Sequence, residues 1–341
     1  MAIAIKDISV KDIRFPTSRN LDGSDAMNAI SDYSATYVTL ITDREDLKGY
    51  GLTFTIGRGN DLCVSAVKSL AELFVIGRTL EEITANFGQF WHELVSGDCQ
   101  LRWVGPEKGV IHLATAAIIN ALWDLWARSE NKTVCKLLVD MKPEEVVKCI
   151  DFTYITDVLT PEEALTLLRR VESGKAQREQ EMFEYGFPGY TTAAGWLGYS
   201  EEKMRQLARQ AVADGWTHLK QKVGADLEQD MRRAAILREE LGWDRKLMMD
   251  ANQIWDVDQV IAAMRMLAQF DPLWNEVPTS PDDILGHAVI KSWIGDICIS
   301  IVQHSLYRVM FKQFFPAGAM VFFQLEPARL AGLDDVLALG L

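Results

Sequence analysis

The chain has 341 residues, 48% of them hydrophobic, and a mean hydropathy of −0.01, enough for one large α/β unit with a full core plus a smaller domain. A formal charge of −13 and a pI near 4.9 exclude nucleic acid, whose binding rests on clustered Lys and Arg, but not an anionic small molecule, because local groups set the field at a site. Five scattered cysteines (Cys63, Cys99, Cys135, Cys149 and Cys298) form no CxxC pair, which argues for buried free thiols rather than disulfides or zinc.

The opening MAIAIKDISVKDIRF alternates like a strand over 3–15. It lacks the character of a transit peptide or secretory signal, and no run is expected to approach a membrane span. Cytoplasm is the expected compartment, with the mitochondrial matrix open. Residues 36–55 read as two strands joined by a charged turn. From 61 to 138 the pattern is helical, ending in a stretch with apolar residues almost all round, as expected of a helix buried between layers. Residues 1–140 are therefore expected to form an α+β domain.

A second domain is expected over 146–341. VVKCIDFTYIT (146–156) reads as a first barrel strand, followed by a helix from Pro161 with Thr160 as N-cap. The Gly- and aromatic-rich segment 173–198 is expected to overhang the barrel mouth. Five strand–helix units are expected from about 217 to 318, with a sixth strand ending near Glu326 and a final helix starting at LDDVLALGL. Six strands fall short of the roughly eight that closure needs, so the barrel is expected to be incomplete.

Polar residues end the apolar runs of this half at the pace of a β/α repeat: Lys220 and Lys222, Asp250, Glu276, Gln303 and Glu326. The gaps from Lys220 are 30, 26, 27 and 23 residues. Parallel barrels build their sites where such strand ends converge. Lys220 and Lys222 share one strand face; if inward, they would lower each other's pKa and yield an amine able to accept a proton. If outward, they are ordinary surface. Asp250 and Glu276 on neighbouring strands suit a hard divalent cation such as Mg²⁺, although Asp250 or Asn252 could instead cap the next helix. His112 reads as a core histidine; His218, His287 and His304 lack metal-ligand spacing and read as structural. GRGN (57–60) follows no βαβ unit, so it is not a dinucleotide loop.

RFPTSRNLDGSDAMN, GYGLTFTIGRGND, QLRWVGPEKGV, IDFTYITDVLT, KVGADLEQDMRR, MMDANQIWDV and PTSPDDILGHA closely resemble the L-fuconate dehydratases of the enolase superfamily, in register to about residue 333. The resemblance implies an α+β capping domain and a modified (β/α)₇β barrel with Mg²⁺ at its mouth. It also implies removal of water from an acid sugar to give a 2-keto-3-deoxy acid. It assigns C2 proton abstraction to Lys222, substrate carboxylate contact to Lys220, metal ligation to Asp250 and Glu276, and support to Asn252. Gly23, Ser24, Asp25 and Tyr33 would contact the sugar. The implied partner is a small-molecule acid sugar, and homo-oligomerisation is open.

The chain departs from that pattern. Gln303 aligns with the third metal ligand, normally Glu; one unit-charge pair at 4 Å is worth about 4 kcal/mol at an effective dielectric near 20. Glu326 aligns with the Asp that orients the general-acid His, and that His is expected beyond Leu341. Ile254 and Val277 replace an Arg and a Glu of the family motifs. Much reduced turnover is therefore expected, with a sugar-acid-binding or partner-binding relative, or a scaffold without a ligand, as the alternatives.

Overall fold

Alternating apolar residues place β1 (Ile5–Arg14) antiparallel to β2 (Ser34–Thr42), which pairs antiparallel with β3 (Lys48–Thr55) in a sheet ordered β1-β2-β3. The molecule is a computed structural model describing residues 2–97, 100–105, 107–301 and 304–341. Helices α1 (Asn60–Phe74), α2 (Leu80–Thr84), α3 (Phe87–Val95), α4 (Val110–Ser129), α5 (Val134–Asp140) and α6 (Pro143–Lys148) follow. Thr79, Asn86 and Thr133 cap α2, α3 and α5 by accepting from N3 amides.

Gly49 and Gly51 share one face of β3 and admit α4 at backbone contact: a Cβ on Gly51 would lie 2.3 Å from Ala117 O and 2.5 Å from Ala121 N. Val38, Leu40, Leu70, Phe87, Trp91, Ile118 and Trp123 fill the core between sheet and helices. By length and composition α4 could cross a membrane, which corrects the expectation of no such run, yet 72% of its apolar window is buried in this core.

Residues 146–156 do not form the expected first barrel strand. Pro143 occupies the first turn of α6, with Glu144 and Glu145 beside it, so Val146 and Val147 become a helical face. Asp151 Oδ1 then accepts from Thr153 N (3.0 Å) and Oγ1 (2.7 Å), and Tyr154 turns at φ 69°. Helix α7 (Pro161–Val171) starts on Thr160 as expected, with a Thr160–Glu163 capping box. Within the segment 173–198 expected to overhang the mouth, residues 175–185 instead form the exposed helix α8 (Lys175–Tyr185); residues 190–195 run along the free edge of the next strand.

After α9 (Glu201–Ala213), strands β4 (His218–Lys222), β5 (Lys246–Asp250), β6 (Pro272–Glu276), β7 (Cys298–Ile301) and β8 (Phe322–Phe323) form one parallel sheet in sequence order. Helices α10 (Leu227–Leu241), α11 (Val257–Leu267), α12 (Ile284–Trp293) and α13 (Arg308–Phe314) connect them. There are thus four strand–helix units plus β8 among the described residues, not five units and a sixth strand. Leu219, Leu247, Met249, Ile299 and Ile301 pack with Leu237, Val260, Met264 and Ile290 in a second core.

Beyond β8 the chain returns to the first core. Thr53 Oγ1 donates to Ala328 O (2.8 Å), Trp91 Nε1 to Ala331 O (3.0 Å) and Trp123 Nε1 to Asp334 Oδ2 (2.8 Å). Helix α14 (Leu333–Gly340) thereby buries Asp334 and Asp335. His112 is a core residue as expected, with Nε2 2.6 Å from Leu306 O. Cys63 and Cys149 are buried free thiols, whereas Cys135 is exposed; Cys99 lies outside the described residues.

Candidate active site

Parallel register aligns Lys222, Asp250, Glu276 and Ser300 in one row at the strand ends. Both lysines face inward, with 6% (Lys220) and 5% (Lys222) of their surface exposed. Lys220 Nζ donates to Glu276 Oε1 (2.5 Å) and Tyr190 OH (3.0 Å) and lies 3.4 Å from Asp250 Oδ2. Lys222 Nζ donates to Asp250 Oδ2 (2.5 Å) and Asn252 Oδ1 (2.8 Å). Asp250 Oδ1 accepts from Asn252 N (2.9 Å), and Glu276 Oε2 from Gln324 Nε2 (2.9 Å) and Trp274 Nε1 (3.3 Å). Asp256 is the N-cap of α11, so neither Asp250 nor Asn252 serves as its cap. Asn252, Gln253 and Val277, just beyond β5 and β6, have φ of 48°, 62° and 40°. For a β-branched residue such as Val277 that is strain.

Burial alone would raise the Asp250 pKa, but Lys222 and Lys220 outweigh it and hold the carboxyl well below the ordinary range. Burial raises Glu276, and the adjacent Asp250 charge raises it further against the pull of Lys220. For Lys220, burial disfavours the ammonium, yet Glu276 and Asp250 hold its pKa above the ordinary lysine value. The expected lowering is therefore corrected for Lys220: two carboxylates outweigh burial and the second lysine.

The loop carrying Gly23, Ser24, Asp25 and Tyr33 approaches this mouth, with Leu197 N donating to Ser24 O (3.0 Å). Gly23 has φ 84°, and the Tyr33 ring covers it so closely that a Cβ would fall 2.5 Å from Cε1. Ser24 Oγ donates to Ala29 O (2.9 Å), and Asp25 Oδ1 accepts from Met27 N (2.8 Å) and Asn28 N (2.7 Å). Burial raises the Asp25 pKa against these hydrogen bonds and the pull of Lys222. Burial and the Asp25 charge push Tyr33 up to about 12. Trp196 joins loop to cluster: its ring is edge-on to Tyr33 at 6.4 Å and its centroid is 5.3 Å from Lys222 Nζ.

Gln303 lies outside the described residues. Glu326 sits in the turn after β8, its Oε2 3.8 Å from Arg329 Nε, and the side chain from this segment that reaches Glu276 is Gln324. Sequence reasoning missed Gln324 and Tyr190. Gln324 stands two before Glu326 in MVFFQLE, so strand alternation was a usable signal; Tyr190, in a loop, gave none. His304, read as structural, is pushed down to about 4 by burial, and it feels Arg329, Asp250 and Lys222.

Among the described residues, no group of three or more His, Cys, Asp or Glu side chains is placed to hold a metal ion. Asp250 and Glu276 nevertheless crowd two buried carboxylates, the repulsion a divalent cation relieves. Two carboxylates with the Asn252 amide oxygen suit a hard cation that keeps water and substrate oxygens in its shell. The donor set fits Mg²⁺ on these grounds.

Residues 203–340 match the family model described as enolase C-terminal domain-like. Mitochondrial enolase superfamily member 1 of Homo sapiens is 52% identical over 337 residues, covering 98% of this chain and 76% of the relative. The chain belongs to the enolase superfamily. The crystal structure of that human superfamily member superposes with a TM-score of 0.96 at 51% identity, covering 99% of this chain and 77% of the other. L-galactonate dehydratase of Hypocrea jecorina is 49% identical over 341 residues, covering 98% of this chain and 75% of the relative. L-talarate dehydratase from Polaromonas, complexed with Mg and L-glucarate, shares the superfamily fold at TM-score 0.70 and 19% identity, covering 99% of this chain and 76% of the other.

Proposed function

We propose that this superfamily member is a Mg²⁺-dependent acid-sugar dehydratase acting on aldonic acids of the L-fuconate and L-galactonate type. The observation that carries the reading is the buried Lys220–Lys222–Asp250–Glu276 cluster at aligned strand ends. A Lys or His base with Mg²⁺ is an established superfamily pattern, and the fungal relative is named for such a substrate. The relatives' mitochondrial name makes the mitochondrion the proposed compartment.

The two lysines differ in how their donors are used. Lys220 donates to Glu276 and Tyr190 and also lies 3.4 Å from Asp250 in an ion pair, so two carboxylates keep it charged, ready to meet the substrate carboxylate. Lys222 has two acceptors, Asp250 and Asn252. As a neutral amine it would spend both hydrogens on them and turn its lone pair to the substrate. Lys222 then takes the C2 proton. The C3–O bond breaks as the departing hydroxyl takes up a proton from the Lys222 ammonium or from solvent and leaves as water, and the remaining enol tautomerises to the 2-keto-3-deoxy acid. Asp250 and Glu276 would hold Mg²⁺, whose charge would acidify the C2 proton. The loop at Gly23, Ser24, Asp25 and Tyr33, with Trp196, covers the sugar and excludes water.

The pairing of Glu326 with Arg329 favours a second reading, in which the C2 proton exchanges but water is lost slowly or not at all. Proton NMR of L-fuconate and L-galactonate with protein and Mg²⁺ in D₂O separates the two. Loss of the C2 signal with a keto product supports the dehydratase; loss without product supports the second reading. Folded protein that binds Mg²⁺ and leaves both spectra unchanged refutes both.

A further inference from the structure

Four side chains close a hydrogen-bonded ring beneath the proposed metal site. Lys220 Nζ donates to Tyr190 OH (3.0 Å) and Glu276 Oε1 (2.5 Å); Tyr190 OH donates to Gln324 Oε1 (2.7 Å); Gln324 Nε2 donates to Glu276 Oε2 (2.9 Å). The ring joins the two edges of an open sheet. Thr191, next to Tyr190, bridges to Leu219 along the outer side of β4, and Gln324 follows β8, its amide donating to Ile301 O (3.0 Å). β4 and β8 are the edge strands. Between them Trp274 meets Tyr190 edge-on at 6.0 Å and Phe322 at 5.0 Å.

We propose that Tyr190 and Gln324 are positioning residues that tie the sheet edges together and lock Glu276 and Lys220 into one preset unit. The catalytic consequence rests on the dehydratase reading; the positioning itself does not. Gln324 is matched to the task. Its Oε1 faces a hydroxyl donor, while Nε2 serves Glu276 and Ser300 Oγ (3.2 Å). A Glu there would set an oxygen against the Glu276 carboxylate, and an Asn would not span the gap. Both oxygens of Glu276 are engaged, which opposes rotation of its carboxylate, and Lys220 is held by two hydrogen bonds and by its ion pair with Asp250. That is the preorganisation a metal-binding and proton-transfer site requires.

The test compares Tyr190→Phe, Gln324→Leu and the double variant, with Gln324→Met as a conservative second choice. The readouts are melting of metal-free protein, Mg²⁺ calorimetry, and C2 exchange of L-fuconate at saturating Mg²⁺. Each single variant should weaken Mg²⁺ binding about tenfold, the scale of one hydrogen bond to a charged group. The double variant should lose no more, because either change already opens the same ring. Exchange should lose kcat with KM nearly unchanged. Wild-type affinity in Tyr190→Phe, additive losses in the double variant, or a loss confined to KM would overturn the proposal. If the wild-type protein binds no Mg²⁺, the dehydratase reading fails. The positioning proposal is then judged on metal-free melting, where non-additive losses support it and additive losses sink it.

Discussion

Asp335 offers a quantitative test far from the proposed chemistry. It is fully buried at the start of α14, and neither carboxylate oxygen has a hydrogen-bond partner among the described residues. Arg308 Nη1 is 3.7 Å away, and His112 Nε2 lies 4.0 Å from Asp335 Oδ2. Burial raises the carboxyl to about 7 from its ordinary 3.8; Arg308 opposes the rise, and Asp151 and Glu107 reinforce it. A carboxyl raised on folding binds its proton more tightly in the folded state. Its stabilisation is therefore complete below about pH 4 and is lost as pH climbs through about 7. At 1.36 kcal/mol per tenfold, that separation is worth roughly 4 kcal/mol. Asp335→Asn cannot ionise, but its amide, without partners, gives back about 1–2 kcal/mol. Relative to wild type, the variant should be near neutral at pH 4.5 and gain about 2 kcal/mol at pH 8. Urea unfolding of both proteins at the two pH values measures the difference directly, and other titrating groups cancel in the comparison. A variant-minus-wild-type difference that stays flat across pH would refute the reasoning.

Lys222→Ala should reduce C2 proton exchange by about 10²–10⁴, the usual worth of a positioned base, while calorimetry still detects Mg²⁺. Asp250→Asn strips both lysines of a shared buried partner (Lys222 Nζ at 2.5 Å). Denaturant unfolding should show a loss of about 3–5 kcal/mol, and Mg²⁺ binding should weaken in the same preparation. Trp123→Phe removes the indole N–H that reaches Asp334 at 2.8 Å. A stability loss of about 1–3 kcal/mol is expected from the unmade bond, and calorimetric Mg²⁺ affinity should stay at the wild-type value because Trp123 packs in the first core rather than among the strand-end residues.

The shared strand face of the lysines, their place opposite Asp250 and Glu276, and the β/α pace were legible in the sequence because strand alternation and strand-end position are local patterns; which way that face points was not. The β2–β3 turn and the α7 cap were legible for the same reason. What failed was context. Val146 and Val147 alternate well enough for a strand, but Pro143 three residues earlier starts a helix that consumes them. The lysine electrostatics failed because a sequence shows the second ammonium two residues away, while Glu276, which outweighs it, is 56 residues away. Tyr190 was invisible because its role depends on Gln324, 134 residues distant across the sheet. Glu326 drew attention as the charged member of its run, whereas the neutral Gln324 makes the contact.

The return of residues 328–334 to the first core bears on how the chain acquires its structure. Thr53, Trp91 and Trp123 close their side-chain hydrogen bonds with partners 275, 240 and 211 residues further along. Such separations raise contact order, and the closure entropy of those long loops is spent before the contacts repay it. During synthesis at about 5–20 residues per second, the indoles of Trp91 and Trp123 wait tens of seconds or less for their acceptors, with the groove on α3 and α4 open to solvent. The first core is then the earliest part of the molecule to be made and among the last to be finished, which makes that groove the surface a folding chaperone would find exposed.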